Sequence, residues 1–392
     1  MNQQQLSQAF QEVFETTDSP RFFFAPGRIN LIGEHTDYNG GHVFPAAISF
    51  GTYAAAQKRS DQKLRFYSLN FSDEGVIECD LADLSHNPDH SWANFPKGMI
   101  QLFNENGFPI PHGMDILFFG NIPNGAGLSS SASIEMATGV VLEGLFDLAI
   151  DRLKMIQLGQ KVENDYIGVN SGIMDQFAIG KGKKDAAMLL DCQTLDYRYA
   201  PVDLGEHEIV IINSNKQRTL AGSKYNERRA ECEQALTDLR TEVSVASLGE
   251  LTSEQFEEVK HLIQDGTNLK RAKHAVYENE RTLLALQELE QGRLQQFGKL
   301  MNESHISLRD DYEVTGAELD TIAETAWQLP GVIGARMTGA GFGGCAIAIV
   351  HSAEVANFKE QITQKYTEAF GYAPSFYEAK ISDGAKELTE EF

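Results

Sequence analysis

The chain has 392 residues, more than one ordinary hydrophobic core holds, so we expect two lobes. Its net charge of −23 argues against nucleic acid and anionic membrane as partners, because both bind through basic surface. The four cysteines are scattered and form no CxxC or Cys/His cluster, which argues against a zinc site and a disulfide framework. With a polar N-terminus and no apolar run of transmembrane length, the sequence predicts a cytoplasmic protein, and nothing in it calls for an obligate oligomer, so we expect a monomer.

Predicted helices and strands alternate irregularly along the first half of the chain. Apolar residues at helical spacing predict an opening amphipathic helix at Leu6, Phe10, Val13 and Phe14. Apolar and β-branched runs predict strands at 22–25, 52–57, 64–68, 114–119, 187–190 and 209–212. Helices are expected after residue 133 and over 151–164.

The second half is dominated by a helical tract. Residues 223 to about 300 are charged, rich in alanine and leucine and poor in β-branched residues, and 345–350 is typical of a buried strand. Helices and strands that mix without strict alternation predict an α+β fold. We place the boundary between an N-terminal lobe, 1–205, and a C-terminal lobe, 206–392, ahead of the helical tract.

Residues 123–133 read Pro-Asn-Gly-Ala-Gly-Leu-Ser-Ser-Ser-Ala-Ser and predict a phosphate loop. Gly125 and Gly127 let backbone NH groups approach a ligand, Ser129, Ser130 and Ser131 supply hydroxyls, and the helix that follows adds its N-terminal NH groups. No GxxxxGK[ST] motif occurs, so a metal ion and the helix dipole must offset the phosphate charge. The alternative is an ordinary serine-rich helix cap.

Residues 338–344, Thr-Gly-Ala-Gly-Phe-Gly-Gly, fit the GxGxxG pattern only formally. A strand follows them rather than a helix, and they lie near the C-terminus, which argues against a dinucleotide fingerprint. We expect a turn that brings the backbone of the second lobe close to the phosphate loop.

Ionisable and polar side chains crowd into residues 28–42, interleaved with glycines. Carboxylates and imidazoles in such a segment can bind the hydroxyls of a polyhydroxylated ligand. A solvated surface loop is the alternative, but Arg28 lies in an apolar context that favours a buried, paired guanidinium. Asp175 between a glycine turn and an apolar helix start is a second candidate, or simply a helix N-terminal carboxylate. For Glu163 a solvated position and for Tyr225 a packing role remain open.

Together the three stretches resemble the motifs of the GHMP small-molecule kinases. Residues 26–41, Pro-Gly-Arg-Ile-Asn-Leu-Ile-Gly-Glu-His-Thr-Asp-Tyr-Asn-Gly-Gly, are similar to the galactokinase signature in particular, and the likeness extends to 170–176 and 191–195. The resemblance covers essentially the whole chain. It implies an N-terminal lobe like domain 2 of ribosomal protein S5, a ferredoxin-like C-terminal lobe, and transfer of the γ-phosphoryl of ATP to the C1 hydroxyl of α-D-galactose, the first step of galactose catabolism.

The resemblance also implies a role for each matching residue. Asp175 is implied as the base that takes the proton of the C1 hydroxyl, and Arg28 as its partner at the transferring group. Residues implied to bind the sugar are Glu34, His35, Thr36, Asp37, Gly172 and Tyr225. Residues implied to bind the nucleotide are Ser68, Gly125, Ala126, Gly127, Leu128, Ser129, Ser130 and Ser131. Ser131 and Glu163 are implied to hold Mg²⁺.

Two alternatives to a galactose kinase share these motifs. An N-acetylgalactosamine kinase needs room for an acetamido group at the sugar C2, and the sequence does not show pocket volume. A non-enzymatic galactose sensor binds sugar and ATP without turnover. The intact serine-rich loop, Asp175 and Arg28 favour the enzyme.

Overall fold

The computed structural model describes residues 1–123, 125–216, 221–389 and 392. Its strands are β1 (Arg21–Asn30), β2 (His42–Val43), β3 (Pro45–Lys58), β4 (Lys63–Ser68), β5 (Ile77–Asp80), β6 (Met114–Gly120), β7 (Ala186–Asp191), β8 (Tyr197–Pro201), β9 (His207–Asn213), β10 (Val332–Thr338), β11 (Cys345–His351), β12 (Ser375–Glu378) and β13 (Lys386–Leu388). Its α-helices are α1 (Gln3–Phe14), α2 (Asn94–Glu105), α3 (Ser130–Phe146), α4 (Arg152–Lys161), α5 (Met174–Lys181), α6 (Ala221–Leu239), α7 (Ser253–Val259), α8 (Gly266–Glu290), α9 (Leu294–Asp310), α10 (Gly316–Ala326) and α11 (Val355–Phe370).

The N-terminal lobe is built on a six-stranded sheet in the order β13-β1-β3-β6-β4-β5. Side chains alternate between the two faces of a strand, so Phe23 joins the large core beneath α2–α5 while Phe22 packs with α1 on the opposite face. The predicted amphipathic helix is thus confirmed, with Phe10 and Phe14 in that second, smaller core. The strand predicted at 22–25 extends to Asn30 and carries Arg28.

The C-terminal lobe holds a four-stranded antiparallel sheet in the order β10-β11-β9-β12. Numbered along the chain these strands run 2-3-1-4, with α6–α10 between the first two and α11 between the last two. This is the βαββαβ pattern of a ferredoxin-like lobe, as the resemblance implied. The helical tract predicted from residue 223 forms α6 to α9, and its interruptions coincide with turns and short 3₁₀ segments.

The two lobes share a third apolar core. Ile32 and Phe44 from the N-terminal side pack in one cluster with Ile211, Ile347 and Phe297 from the C-terminal side. The predicted boundary lies in the connection between β8 and β9. The C-terminal segment crosses this boundary back into the N-terminal lobe, where β13 pairs antiparallel with β1. None of the helices in the described part of the chain combines the length and apolar character that a bilayer crossing needs.

Candidate functional site

A cleft of about 340 Å³ lies where the two lobes meet. Its walls combine segments that are far apart in sequence, including the polar cluster, the loop before α3, the segment before α5, α6 and the third glycine stretch. Of the predicted site residues it brings together Arg28, Glu34, His35, Asp37, Gly125, Gly127, Ser129, Ser130, Ser131, Glu163, Gly172, Asp175 and Tyr225.

The predicted phosphate loop joins β6 to α3, in the expected order of strand, turn and helix N-terminus. Gly125 and Gly127 have positive φ angles of 69° and 72°, and Ser129 shares the left-handed region with φ 64°. A non-glycine residue held there is strained, and such strain concentrates at functional sites. The Ser129 hydroxyl does not cap α3 but donates to the carboxylate of Asp175. The simple helix-cap alternative is therefore wrong. Residue 124 of the loop lies outside the described residues.

The third glycine stretch turns between β10 and β11 and packs against the phosphate loop. Gly339 has φ 83°, and a Cβ atom there would lie 2.8 Å from the carbonyl oxygen of Gly127. Only glycine meets both the conformation and the close approach. The expected backbone contact between the second lobe and the phosphate loop is observed, and the strands on both sides exclude a dinucleotide-binding βαβ unit.

Arg28 and Asp175 form the centre of the cleft. The guanidinium donates Nε to Oδ1 and Nη2 to Oδ2 of Asp175, both at 2.8 Å, while Nη1 donates to the Gly127 carbonyl oxygen at 2.8 Å. A β-bulge between Pro26 and Gly27 shifts the register of β1 next to this arginine, and bulges commonly re-aim a side chain beside an active site. The predicted buried, paired arginine is confirmed, because only 5% of the Arg28 side chain is exposed.

Glu163 lies in a single turn of π-helix, Val162–Ile167, which follows α4 directly. Such turns often mark functional sites. The carboxylate accepts hydrogen bonds from the hydroxyls of Ser131 and Ser171, both at 2.6 Å. Burial raises the pKa of Glu163, the two serine hydroxyls lower it, and the charge of nearby Asp175 raises it further. The open question of a solvated Glu163 is answered, since the side chain is buried beside the phosphate loop.

This arrangement fits a magnesium ion, although no cage of three or more acidic, histidine or cysteine ligands occurs in the described ranges. Mg²⁺ is usually bound by one or two carboxylates while phosphates and water complete its shell. Glu163 and Ser131 offer oxygen donors, and a cation would offset the repulsion between the carboxylates of Glu163 and Asp175.

The polar cluster is buried, so the alternative of a solvated surface loop is wrong. Glu34 is 1% exposed and accepts a hydrogen bond from the Gly339 backbone NH at 2.7 Å. Burial raises the pKa of Glu34, and the nearby guanidinium groups of Arg336 and Arg28 act against that rise. The polar cluster and the third glycine stretch are therefore joined directly through the Glu34 carboxylate.

Asp37, Gly172 and Tyr225 converge as predicted, although 188 positions separate Asp37 from Tyr225. A Cβ atom at Gly172 would lie 1.9 Å from Oδ2 of Asp37, so a side chain cannot occupy this position. The phenol of Tyr225 hydrogen-bonds the backbone of Gly172. Burial, and then the negative charge of Asp175, raise the pKa of Asp37 to about 7, against backbone hydrogen bonds that lower it.

His35 lines the cleft with both ring nitrogens already engaged. Nδ1 lies 2.7 Å from the Tyr38 hydroxyl and Nε2 lies 3.2 Å from the Ala340 carbonyl oxygen. A carbonyl only accepts, so Nε2 carries the proton and Nδ1 accepts from Tyr38. Burial above all lowers the pKa of His35 to about 3, so the ring is neutral.

Some predicted residues lie behind the cleft. The Thr36 hydroxyl donates to the carbonyl oxygens of Gly33 and His42, and Ser68 ends β4, where its hydroxyl accepts from the Asn70 backbone NH. Ala126 and Leu128 are buried within the phosphate loop. None of these four is among the residues that line the cleft. Their direct ligand contacts stay predictions.

Further residues line the cleft to which the sequence assigned no role, namely Phe95, Ile167, Val169, Ser171 and Met174. Ser171 and Met174 lie inside the stretch 170–176 that carried part of the resemblance. The apolar members form a wall beside the phosphate loop, and apolar walls with a few polar groups are typical of ligand sites. Single apolar side chains carry no signal that separates such a wall from core packing.

Three family models match the chain. The galactokinase galactose-binding signature matches residues 8–58, the N-terminal domain of GHMP kinases matches 94–183, and the C-terminal domain of GHMP kinases matches 285–368. Among curated proteins, the galactokinase of Ligilactobacillus salivarius is 58% identical over 99% of this chain and 100% of its own length. That of Streptococcus mutans is 57% identical with the same coverage of both chains.

Solved structures agree with these matches. The crystal structure of Lactococcus lactis galactokinase complexed with galactose superposes with a TM-score of 0.97 at 54% identity, covering 98% of this chain and 99% of that one. A mevalonate kinase superposes with a TM-score of 0.65 at 18% identity over 92% of this chain and 99% of that one. The second likeness shows the shared fold alone.

Proposed function

The chain belongs to the galactokinase family of the GHMP kinases, and from that premise we propose how its residues perform the reaction. The enzyme transfers the γ-phosphoryl group of ATP to the C1 hydroxyl of α-D-galactose and yields galactose 1-phosphate and ADP. The observation that carries the proposal is the three-way contact of Arg28, which binds both oxygens of Asp175 and the carbonyl oxygen of Gly127. One side chain thereby connects the sugar side of the cleft to its phosphate side.

Asp175 is proposed as the acceptor of the C1 hydroxyl proton. Phosphoryl transfer has a loose transition state in which positioning and charge stabilisation contribute most, and the base acts late. The bidentate pair with Arg28 fixes the carboxylate in one orientation. The guanidinium also places positive charge between the base and the phosphate loop, where charge changes during transfer.

Sugar binding is proposed for the buried carboxylates and their neighbours. Asp37 and Glu34 lie at the cleft wall with acceptor oxygens, and Tyr225 and the backbone of Gly172 complete one side. Because Glu34 is buried and Asp37 and Tyr225 are half-buried, a ligand lacking a matching hydroxyl leaves one of them unpaired, which penalises the wrong sugar. His35 contributes its ring face, since both of its nitrogens bind protein atoms.

Magnesium binding is proposed for Glu163 and Ser131, with the triphosphate wrapped by residues 125–131. The ion, when bound, supplies positive charge that a P-loop lysine would otherwise bring to the phosphates. The Ser131 hydroxyl donates to Glu163, which brings both proposed ligands together beside the loop.

We propose that the enzyme acts as a monomer in the cytoplasm. The cleft forms between the two lobes of a single chain and is lined by groups from both lobes. None of the four cysteines forms a disulfide in the described part of the chain, as a reducing compartment favours.

The test is ATP- and Mg²⁺-dependent turnover on galactose, with glucose, N-acetylgalactosamine and mevalonate in parallel. We expect turnover on galactose and little on the others. Preference for N-acetylgalactosamine would keep the fold and overturn the substrate. Galactose binding without turnover would instead indicate a sensor.

A further inference from the structure

Arg336 is a completely buried arginine that no step of the proposed mechanism uses. It lies in β10, two residues before the third glycine stretch begins, and its side chain is 0% exposed. A buried guanidinium is costly unless charges and hydrogen bonds compensate it. The groups that contact Arg336 therefore indicate its role.

The partners of Arg336 lie in the sugar motif of the other lobe. Its Nη1 donates to the Asn30 carbonyl oxygen at 3.0 Å and to Oε1 of Glu34 at 3.3 Å. The same oxygen of Glu34 accepts the Gly339 backbone NH. The C-terminal lobe thus contacts Oε1 of Glu34 twice, through the side chain of Arg336 in β10 and through the backbone NH of Gly339 in the turn that follows.

A second buried carboxylate balances the charge. Nη2 of Arg336 lies 4.0 Å from Oε1 of Glu278 in α8, and Glu278 is paired with Arg281 at 2.8 Å. Four charges therefore alternate in sign across the lobe interface, from Glu34 through Arg336 and Glu278 to Arg281. Glu278 also accepts the Gly33 backbone NH at 3.0 Å, so it supports the residue that precedes Glu34.

Arg336 binds less completely than its burial would suggest. Its Nε and Nη2 have no hydrogen-bond partner among the described residues. Nη2 approaches Oε1 of Glu278 at 4.0 Å. The hydrogen bonds that Arg336 does make, to Glu34 and to the Asn30 carbonyl oxygen, both go to the polar cluster of residues 28–42.

We propose that Arg336 is a positioning residue for galactose, which holds the Glu34 carboxylate in one orientation at the wall of the cleft. The inference rests on the proposed sugar-binding role of Glu34. It makes sugar affinity depend on a residue of the C-terminal lobe that does not line the cleft. The charged groups that act on the Glu34 carboxylate are Arg336 and Arg28, and Asp37 interacts with its charge. Glu278 and His274 contact the backbone NH and the carbonyl oxygen of Glu34.

The test is a double-mutant cycle in the full-length enzyme with Glu34→Gln, Arg336→Met and both together. We expect Arg336→Met to raise the KM for galactose roughly 10- to 100-fold, because Glu34 loses its cation. The kcat and the KM for ATP should change by less than about threefold, since no hydrogen bond of Arg336 reaches the phosphate loop. Galactose affinity of the double variant should equal that of Glu34→Gln within about twofold.

Two further variants keep the outcome interpretable. Arg336→Lys retains the charge and should recover part of the galactose affinity even if Arg336→Met folds poorly. Arg271→Met removes another buried arginine, whose hydrogen bonds go to Glu231, Glu313 and the Asp311 carbonyl oxygen, and should lower thermal stability without raising the KM for galactose.

Each failure has its own meaning. If Glu34→Gln leaves the KM for galactose unchanged, the sugar-binding role of Glu34 is wrong. If Glu34→Gln weakens binding but the effects of the two substitutions multiply, or if Arg336→Met, like Arg271→Met, lowers thermal stability without raising the KM for galactose, the positioning role alone is overturned.

Discussion

The two ends of the cleft are built in contrasting ways. The phosphate end is one contiguous loop of small, neutral residues in front of α3, with Glu163 as its added charge. The sugar end is an assembly of charged side chains, in which Arg336 and Gly339 of the C-terminal lobe hold Glu34, and Asp175 holds Arg28.

The contrast follows from the ligands that the two ends are proposed to bind. A triphosphate brings its own charge and can be bound by backbone NH groups and a metal ion, which require little more than a particular loop shape. A neutral sugar is distinguished only by where its hydroxyls point, so the groups that bind those hydroxyls must be held in fixed orientations. Removing charges at the two ends should therefore change different kinetic parameters.

The largest effect is expected at the junction of the two ends. Asp175→Asn removes the proposed proton acceptor, so kcat should fall by about 10²–10⁴-fold, the usual contribution of general-base catalysis. Galactose affinity should change little, because the amide is nearly the same shape. Turnover on saturating galactose and ATP, with galactose binding measured calorimetrically, checks both.

Asp185→Asn is the matched control for this change. Asp185 is an exposed acid with φ 58°, a conformation that asparagine tolerates. It should leave kcat unchanged. If Asp175→Asn also retained its turnover, the base would have to be another group, and Asp175 would be left as a partner of Arg28.

An intermediate effect is expected at the phosphate end alone. Glu163→Gln removes the one carboxylate proposed to bind Mg²⁺, so the Mg²⁺ concentration for half-maximal turnover should rise roughly 10- to 100-fold. The KM for galactose should stay as it is. Asp165→Asn, on the same π-helical turn but exposed, serves as the control. If Glu163→Gln raised the KM for galactose as much as it raised the Mg²⁺ requirement, the two ends of the cleft would not act separately.

How far the sequence could predict the site differs between the same two ends. The phosphate loop is local, so its glycines, serines and following helix identified both its structure and its position. Arg28 was recognised as buried because apolar residues surround it in sequence. The wall formed by Phe95 and Ile167 could not be recognised, since nothing local separates it from core packing.

The sugar end shows the limit most clearly. Arg336 sits in a strand whose sequence gives no sign that its guanidinium reaches Glu34, because that contact exists only after β1 and β10 meet across the lobe interface. The pairing of β13 with β1 of the first sheet could not be predicted either, because the short polar sequence of β13 gives no local signal for it. Contacts between distant segments depend on tertiary packing, which local patterns do not encode.

The smallest effect concerns protons at the sugar end. The pKa of Asp37 is about 7, raised by burial and then by Asp175, so this acceptor is half ionised near neutral pH. The kcat/KM for galactose reports groups of the free enzyme, and it should fall about tenfold for each pH unit below 7. The stability that Asp37 contributes has the opposite sign: it is fully present below the unfolded-state pKa of 3.8 and is lost as pH rises through about 7.

The Asp37→Asn variant tests whether the pH dependence near 7 comes from Asp37 or from another group in the cleft. The variant should be less active, but its kcat/KM profile should be flat near pH 7, and its melting temperature should decline less than that of the wild type between pH 5 and 8. Because the two readouts move in opposite directions for one group, a profile that still bends near pH 7 in Asp37→Asn would assign the proton elsewhere. If the melting temperature declined equally between pH 5 and 8 in Asp37→Asn and in the wild type, Asp37 would be ionised over that whole range. The acceptors of the sugar end would then carry a constant charge, as Arg28 does.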